Sequence, residues 1–258
     1  MTDFSVDHRD SVATLTISFP KAKNAIAAEG WTTLQGIFED LSRDDSVRCV
    51  VVTGDGEDFC SGAYVGPGRH DGPQPHGLES MRRVGNCCNT LFNLPKPTIA
   101  RVDGVAAGAG MNLALACDFV LASDRSRFSE IFARRGLNID FGGSFILPRI
   151  VGMQKAKELV MLADVIDAAR ADELGLVNRV VPQAELDDLV ADFAGRLADG
   201  PPVALAASKK LLNQSFTSTL DQALESEGFA QTVQFATDDM REAGAAFIEK
   251  RDAKFTGR

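Results

Sequence analysis

The stretch from Pro97 to Ala116 carries residue types suited to gripping an oxygen that becomes negative during a reaction. Ile99, Ala100 and Val102 read as a buried strand, Gly104 punctuates it, and the residues from Ala106 to Gly110 are small enough for the backbone to pass close to another group. Leu113, Ala114, Leu115 and Ala116 then read as a packed helix. A strand, a Gly-rich turn and a helix start leave backbone N–H groups pointing outward with the positive end of the helix dipole behind them. Such donors stabilise an anion or an oxyanion. A tight strand–helix turn without chemistry satisfies the same pattern. A second small, tight stretch is Phe59-Cys60-Ser61-Gly62-Ala63-Tyr64.

The elements that must position these turns follow from periodicity. Phe4–Arg9 and Val12–Ser18 alternate apolar and polar residues and predict a β-hairpin turning at Arg9-Asp10-Ser11. A loop through Lys23-Asn24-Ala25 leads to a predicted helix from about Ala27 to Ser42, with Trp31, Leu34, Ile37, Phe38 and Leu41 on one face. Cys49–Thr53 is a continuous apolar run, as a buried parallel strand would be. Gly66 to Gly77, with His70 and His76, reads as a mobile loop, and helical spacing resumes at Leu78, Met81, Val84, Cys88 and Leu91. Asp118–Ser123 and Gly175–Pro182 read as strands, and Phe128 to Ser144 as loop and short helix. Glu158–Leu162 and Ala168–Leu174 read as helical pieces. From Gln183 onward the pattern is almost wholly helical. The whole predicts an α/β chain with a parallel-type core and a helical C-terminal portion.

Composition narrows the function classes. The chain has 258 residues, an apolar fraction of 45% and a net charge of −9, enough for a sizeable core. No long Lys/Arg run appears, which argues against nucleic acid or an anionic membrane as the main partner. Apolar runs are too short to span a bilayer, and the first residues lack a basic segment followed by an apolar one, so a cytoplasmic protein is expected. The five cysteines form no C-x-x-C pair and read as reduced thiols, and the three histidines form no metal-binding spacing.

Several features then converge in order along the chain. Lys23-Asn24-Ala25 follows the first hairpin, and Val51–Gly54 leads to Phe59-Cys60-Ser61-Gly62-Ala63. Pro97 to Gly110, Phe128 to Gly143, Gly175-Leu176-Val177 and the ending Phe247-Ile248-Glu249-Lys250-Arg251 complete the series. Together they resemble the crotonase superfamily, the enoyl-CoA hydratases and isomerases, over essentially the whole chain. The resemblance implies a spiral of ββα units over residues 1–195, with the acyl-CoA site, and a helical trimerisation region over residues 196–258. It implies trimers or hexamers, an acyl-CoA thioester as substrate, and no cofactor beyond the coenzyme A carried by that substrate.

The implied chemistry is stabilisation of a thioester enolate by two backbone N–H groups, placed by position at Ser61 and Ala109. Ala22, Lys23, Gly62, Ala63, Tyr64, Gly108, Asn112 and Phe132 are implied to line the substrate. Lys21 and Lys23, with Phe247 and Lys250 from a neighbouring subunit, are implied to meet the nucleotide end of coenzyme A. The two water-splitting glutamates of the hydratases fall on Asn112 and Phe132, neither of which is a general base. Glu130, two residues away, reads as a surface or structural acid. Asp140 stands where several isomerases and a dehalogenase of the family place a carboxylate. Ile139 and Phe141 would supply an apolar surround that raises its pKa, and the alternative reading is a cap on the following helix. The expectation is double-bond isomerisation through Asp140. The rivals are hydration with a non-standard acid/base, hydrolysis or dehalogenation with Asp140 as nucleophile, and acyl-CoA binding without catalysis.

Overall fold

The computed structural model describes residues 2–66 and 76–258. Strands β1 (Asp3–Arg9) and β2 (Val12–Ser18) form the antiparallel hairpin. Parallel to β2 run β3 (Cys49–Gly54) and, beyond helices α1 (Gly30–Arg43) and α2 (Gly77–Phe92), β4 (Thr98–Val102). A short strand β5 (Val105–Ala107) and helix α3 (Ala109–Leu115) intervene before β6 (Phe119–Ser123), which pairs with β4. Strand β7 (Arg127–Ser129), helix α4 (Gly143–Leu162), β8 (Ile166–Asp167), α5 (Ala168–Glu173) and β9 (Arg179–Val181) complete the core. The large sheet has the order β1-β2-β3-β4-β6-β9, and β5-β7-β8 form a small one.

The apolar run of β3 is explained by burial on both faces. Val50 and Val52 join Leu15, Ala100, Leu34 of α1 and Leu91 of α2 on one side. Cys49 and Val51 join Ile99, Leu121 and the inner face of helix α6 (Leu186–Ala198) on the other. The residue number 195 therefore falls inside a helix that packs on the sheet. The helices beyond it are α7 (Pro202–Gln214), α8 (Leu220–Phe235) and α9 (Asp238–Glu249). Their outward apolar residues include Leu224, Phe229, Val233, Phe247 and Ile248, all exposed.

Three differences from the sequence reading concern local geometry. The small sheet was not foreseen, because strands of two or three residues carry no period. The helical piece at Glu158–Leu162 is the end of the longer α4, which changes direction at Gly152, where φ is +76°. Pro148 earlier in α4 is a further break in its hydrogen-bonding. The strand expected over Gly175–Pro182 is only Arg179–Val181, since Gly175 (φ +73°) belongs to the turn after α5. The loop expected at Gly66 to Gly77, with His70, lies mostly outside the described residues. His76 caps α2, its Nδ1 accepting from Leu78 N–H at 3.2 Å. Among the described residues no helix is long and apolar enough to cross a membrane.

Candidate active site

The two small-residue turns meet. Ala107 N–H donates to Cys60 O at 3.0 Å, and Cys60 N–H to Val105 O at 2.9 Å. Glycine is required at the contact: a Cβ on Gly110 would fall 2.1 Å from Cys60 O, and one on Gly62 2.8 Å from Ala107 O and 3.2 Å from Ala109 N. Gly108 takes φ +54°, ψ −128°, a conformation open to glycine. Ala109 then begins α3 without a positive φ of its own. Its N–H is one of the unpaired donors of a helix start.

Ser61, expected as the second donor, is engaged within the protein. Ser61 N–H donates to Lys23 O at 2.9 Å, so it is not available to a ligand. Its hydroxyl is also engaged, donating to Ala22 O at 2.8 Å. Ala63 forms a parallel bridge with Ile26, in which Ile26 N–H donates to Gly62 O and Tyr64 N–H to Ile26 O. In such a bridge the flanking residues make the bonds and the central residue's own N–H points away. Ala63 N–H accordingly finds no acceptor among the described residues, and Ala63 is exposed.

The loop supporting Lys23 is held by Asn24, a fully buried residue with φ +55°. Its Nδ2 donates to Asp55 O (2.9 Å) and Asp58 O (2.6 Å), and its Oδ1 accepts from Phe19 N–H at 2.9 Å. Lys23 Nζ sits 3.3 Å from Asp58. On the other side Arg125 forks onto both carboxylate oxygens of Asp103, at 2.6 and 2.8 Å, beside Gly104. That pairing holds the Asp103 carboxyl below its ordinary range despite burial.

A cavity of about 260 Å³ opens at Ala63, lined among others by Trp31, Tyr64, Met81, Val84 and Asp140. Larger hollows of about 510 and 890 Å³ lie elsewhere, and neither touches the two turns. Trp31 is itself packed on Phe141, ring centroids 5.3 Å apart, and Tyr64 on Phe19 at 5.4 Å. Asp140 Oδ1 is buried and has no hydrogen-bond partner among the described residues. Burial pushes its carboxyl up to about 6. The capping alternative is not what the structure holds: Gly142 is the N-cap of α4, with no side-chain cap bond, and it is Asp140's backbone oxygen that accepts from Gly143 N–H.

Asn112 and Phe132 are both buried. The Phe132 ring lies beneath Gly108, and Asn112 Nδ2 donates to Asp140 O at 3.0 Å and Glu130 Oε2 at 3.3 Å. Glu130 is not a surface acid: it is 1% exposed. Glu29 and Arg83 also line the cavity. Spacing gave no sign that Glu130 is buried or that these two line the cavity. Phe247 and Lys250, at the end of α9, are exposed and do not line this cavity. All five cysteines are free and buried. Among the described residues no cluster of three or more His, Cys, Asp or Glu could hold a metal ion.

Comparison with known proteins gives the family. The family profile described as enoyl-CoA hydratase/isomerase matches residues 7–258. A 1,2-epoxyphenylacetyl-CoA isomerase of Escherichia coli (strain K12) is 36% identical, the alignment covering 100% of both chains. A short-chain-enoyl-CoA hydratase of Clostridium acetobutylicum is 35% identical, over 95% of this chain and 94% of that one. The crystal structure of an enoyl-CoA hydratase from Bacillus anthracis superposes with a TM-score of 0.93 at 29% identity, over 99% of each chain. Fold, turns and whole-length similarity together identify the chain as a member of the enoyl-CoA hydratase/isomerase family.

Proposed function

We propose that the protein moves a double bond in an enoyl-CoA thioester, with Asp140 as the single acid/base. The carrying observation is that Asp140, one of whose carboxylate oxygens is buried without a partner among the described residues, lines the cavity that also holds Ala63. The thioester oxygen sits between the N–H groups of Ala63 and Ala109. Asp140 takes the proton from the carbon next to the thioester carbonyl. The C–H electron pair flows into the carbonyl to give an enolate, which the two N–H groups stabilise. Asp140, whose acid proton exchanges with solvent, then delivers a proton to the γ carbon, and the double bond comes to lie between the α and β carbons. No atom is gained or lost. A carboxyl near 6 is well placed to shuttle a proton at neutral pH, because neither of its forms is scarce.

Hydration needs a second group to activate water, and Asn112 and Phe132 occupy the positions where hydratases of the family carry theirs. Names among the relatives include both isomerases and hydratases, so the site residues carry the choice. The exposed apolar residues on α8 and α9 support a trimer or hexamer, in which Phe247 and Lys250 would reach a neighbour's nucleotide-binding region. Sedimentation velocity tests that assembly; a monomer at micromolar concentration contradicts it. Asp140→Asn tests the catalytic reading. Turnover of 3-enoyl-CoA is expected to fall by about 10²-fold or more while acyl-CoA affinity is kept. Unchanged turnover refutes the role of Asp140.

A further inference from the structure

Among the described residues, three buried side-chain oxygens without a partner belong to residues joined in one cluster: Asn112 Oδ1, Glu130 Oε1 and Asp140 Oδ1. The Asn112 amide is its hub. Its Nδ2 reaches Glu130 Oε2 and Asp140 O, and a Cβ on Gly143 would fall 2.4 Å from that nitrogen, so the start of α4 is pressed against it. Glu130 follows Ser129, whose carbonyl accepts from Gly108 N–H at 2.8 Å. One buried acid is thus tied to both the Asp140 turn and the turn of Ala109.

A carboxylate with 1% exposure and a single neutral donor is costly to ionise. Among the described residues no Lys or Arg forms an ion pair with Glu130. Burial pushes its carboxyl up to about 8, and the neighbouring Asp140 charge acts in the same direction. We propose, building on the Asp140 reading above, that Glu130 is a positioning residue: protonated, it anchors the Asn112 amide and through it the Asp140 turn, without placing a second charge behind the working carboxylate. When Glu130 loses its proton, the new charge draws the amide toward itself and opposes the ionised form of Asp140. Turnover then falls on the alkaline side. Among the described residues, the other titratable groups near Asp140 are the Cys88 thiol of α2, pushed up to about 12, and Glu29, Tyr64 and Arg83 around the cavity. They are common to every variant compared below.

The test has two arms. In the first, Asp and Glu carboxyl carbons are ¹³C-labelled and titrated without substrate, the Asp140 signal being assigned by its loss in Asp140→Asn. The wild-type Asp140 signal is expected to show its main step near 6 and a smaller one near 8. The smaller step is expected to vanish in Glu130→Gln. Identical curves in the two proteins overturn the proposal.

The second arm is kinetic. Glu130→Ala is expected to lose about tenfold or more in kcat with little change in KM. Glu130→Gln, which mimics the neutral acid, is expected to recover most of that loss and to lack the alkaline fall. Equal losses in both variants, or an alkaline fall kept in Glu130→Gln, overturn the proposal. If Asp140→Asn keeps its turnover, the Asp140 reading fails on its own, and the carboxyl titration still decides whether Glu130 acts on Asp140.

Discussion

Replacing Asp140 by Asn is expected to stabilise the fold while removing turnover. The carboxyl rises from 3.8 to about 6 because burial disfavours its charged form. At about 1.4 kcal/mol per pH unit, the ionised group costs the folded state roughly 3 kcal/mol. Part of the residue opens to the cavity, and solvent screening reduces this to about 1–2 kcal/mol. For a chain of this size that is about 3–6 °C in Tm. The sign follows from proton uptake. Below the unfolded value the group is protonated in both states and costs nothing. Between the two values the folded state keeps a proton the unfolded state has lost, so stability falls as pH rises. Above about 6 the full cost is present. Calorimetric melts of wild type and Asp140→Asn from about pH 4.5 to about pH 8 should therefore diverge, with the variant gaining toward neutral pH and levelling off. A variant that melts lower at pH 8, or by the same margin at every pH, refutes the assignment of a desolvated, unpaired carboxylate.

Other outcomes follow from the same geometry. Ala109→Pro deletes one N–H at the first position of α3, where proline is tolerated; Tm should stay within about 2 °C while kcat falls about 10²–10³-fold, and a full kcat excludes that donor. Gly62→Ala places a Cβ 2.8 Å from Ala107 O at φ +92°, so chemical denaturation should show a loss of about 1–3 kcal/mol together with lower turnover. The buried thiols, all raised by burial, should resist a thiol reagent in the native protein near pH 8 and react only on unfolding. Lys209 of α7 reaches Asp118 at 2.8 Å and Lys96 O at 3.2 Å; Lys209→Met should make the C-terminal helices easier to cleave in limited proteolysis, with a smaller effect on the core.

Much of the fold is legible because burial writes itself into periodicity. Alternation gives the hairpin, the unbroken run Cys49–Thr53 gives a strand covered on both faces, and the Gly-rich stretch gives the strand–helix turn. The choice between Ser61 and Ala63 as donor is not written there. It depends on which N–H a distant segment claims, and Lys23 and Ile26 claim those of Ser61 and Tyr64. The burial of Glu130 is hidden for a similar reason: the residue is polar in sequence, and only the fold takes it out of water, with the Asn112 amide against it. Asp140 was legible in position but not in state, since its unpartnered oxygen depends on Gly142, not Asp140, serving as the cap of α4.

The central claim is a proton carried between two carbons of an enolate by one carboxyl group. It is tested most directly by incubating wild type and Asp140→Asn with 3-enoyl-CoA and 2-enoyl-CoA thioesters in deuterated water, followed by mass spectrometry. A shifted double bond in the wild type, with deuterium at the α or γ carbon and no added water, and none of this in Asp140→Asn, is the predicted result. A mass gain of one water in the wild type, or an unchanged shift in Asp140→Asn, would contradict it.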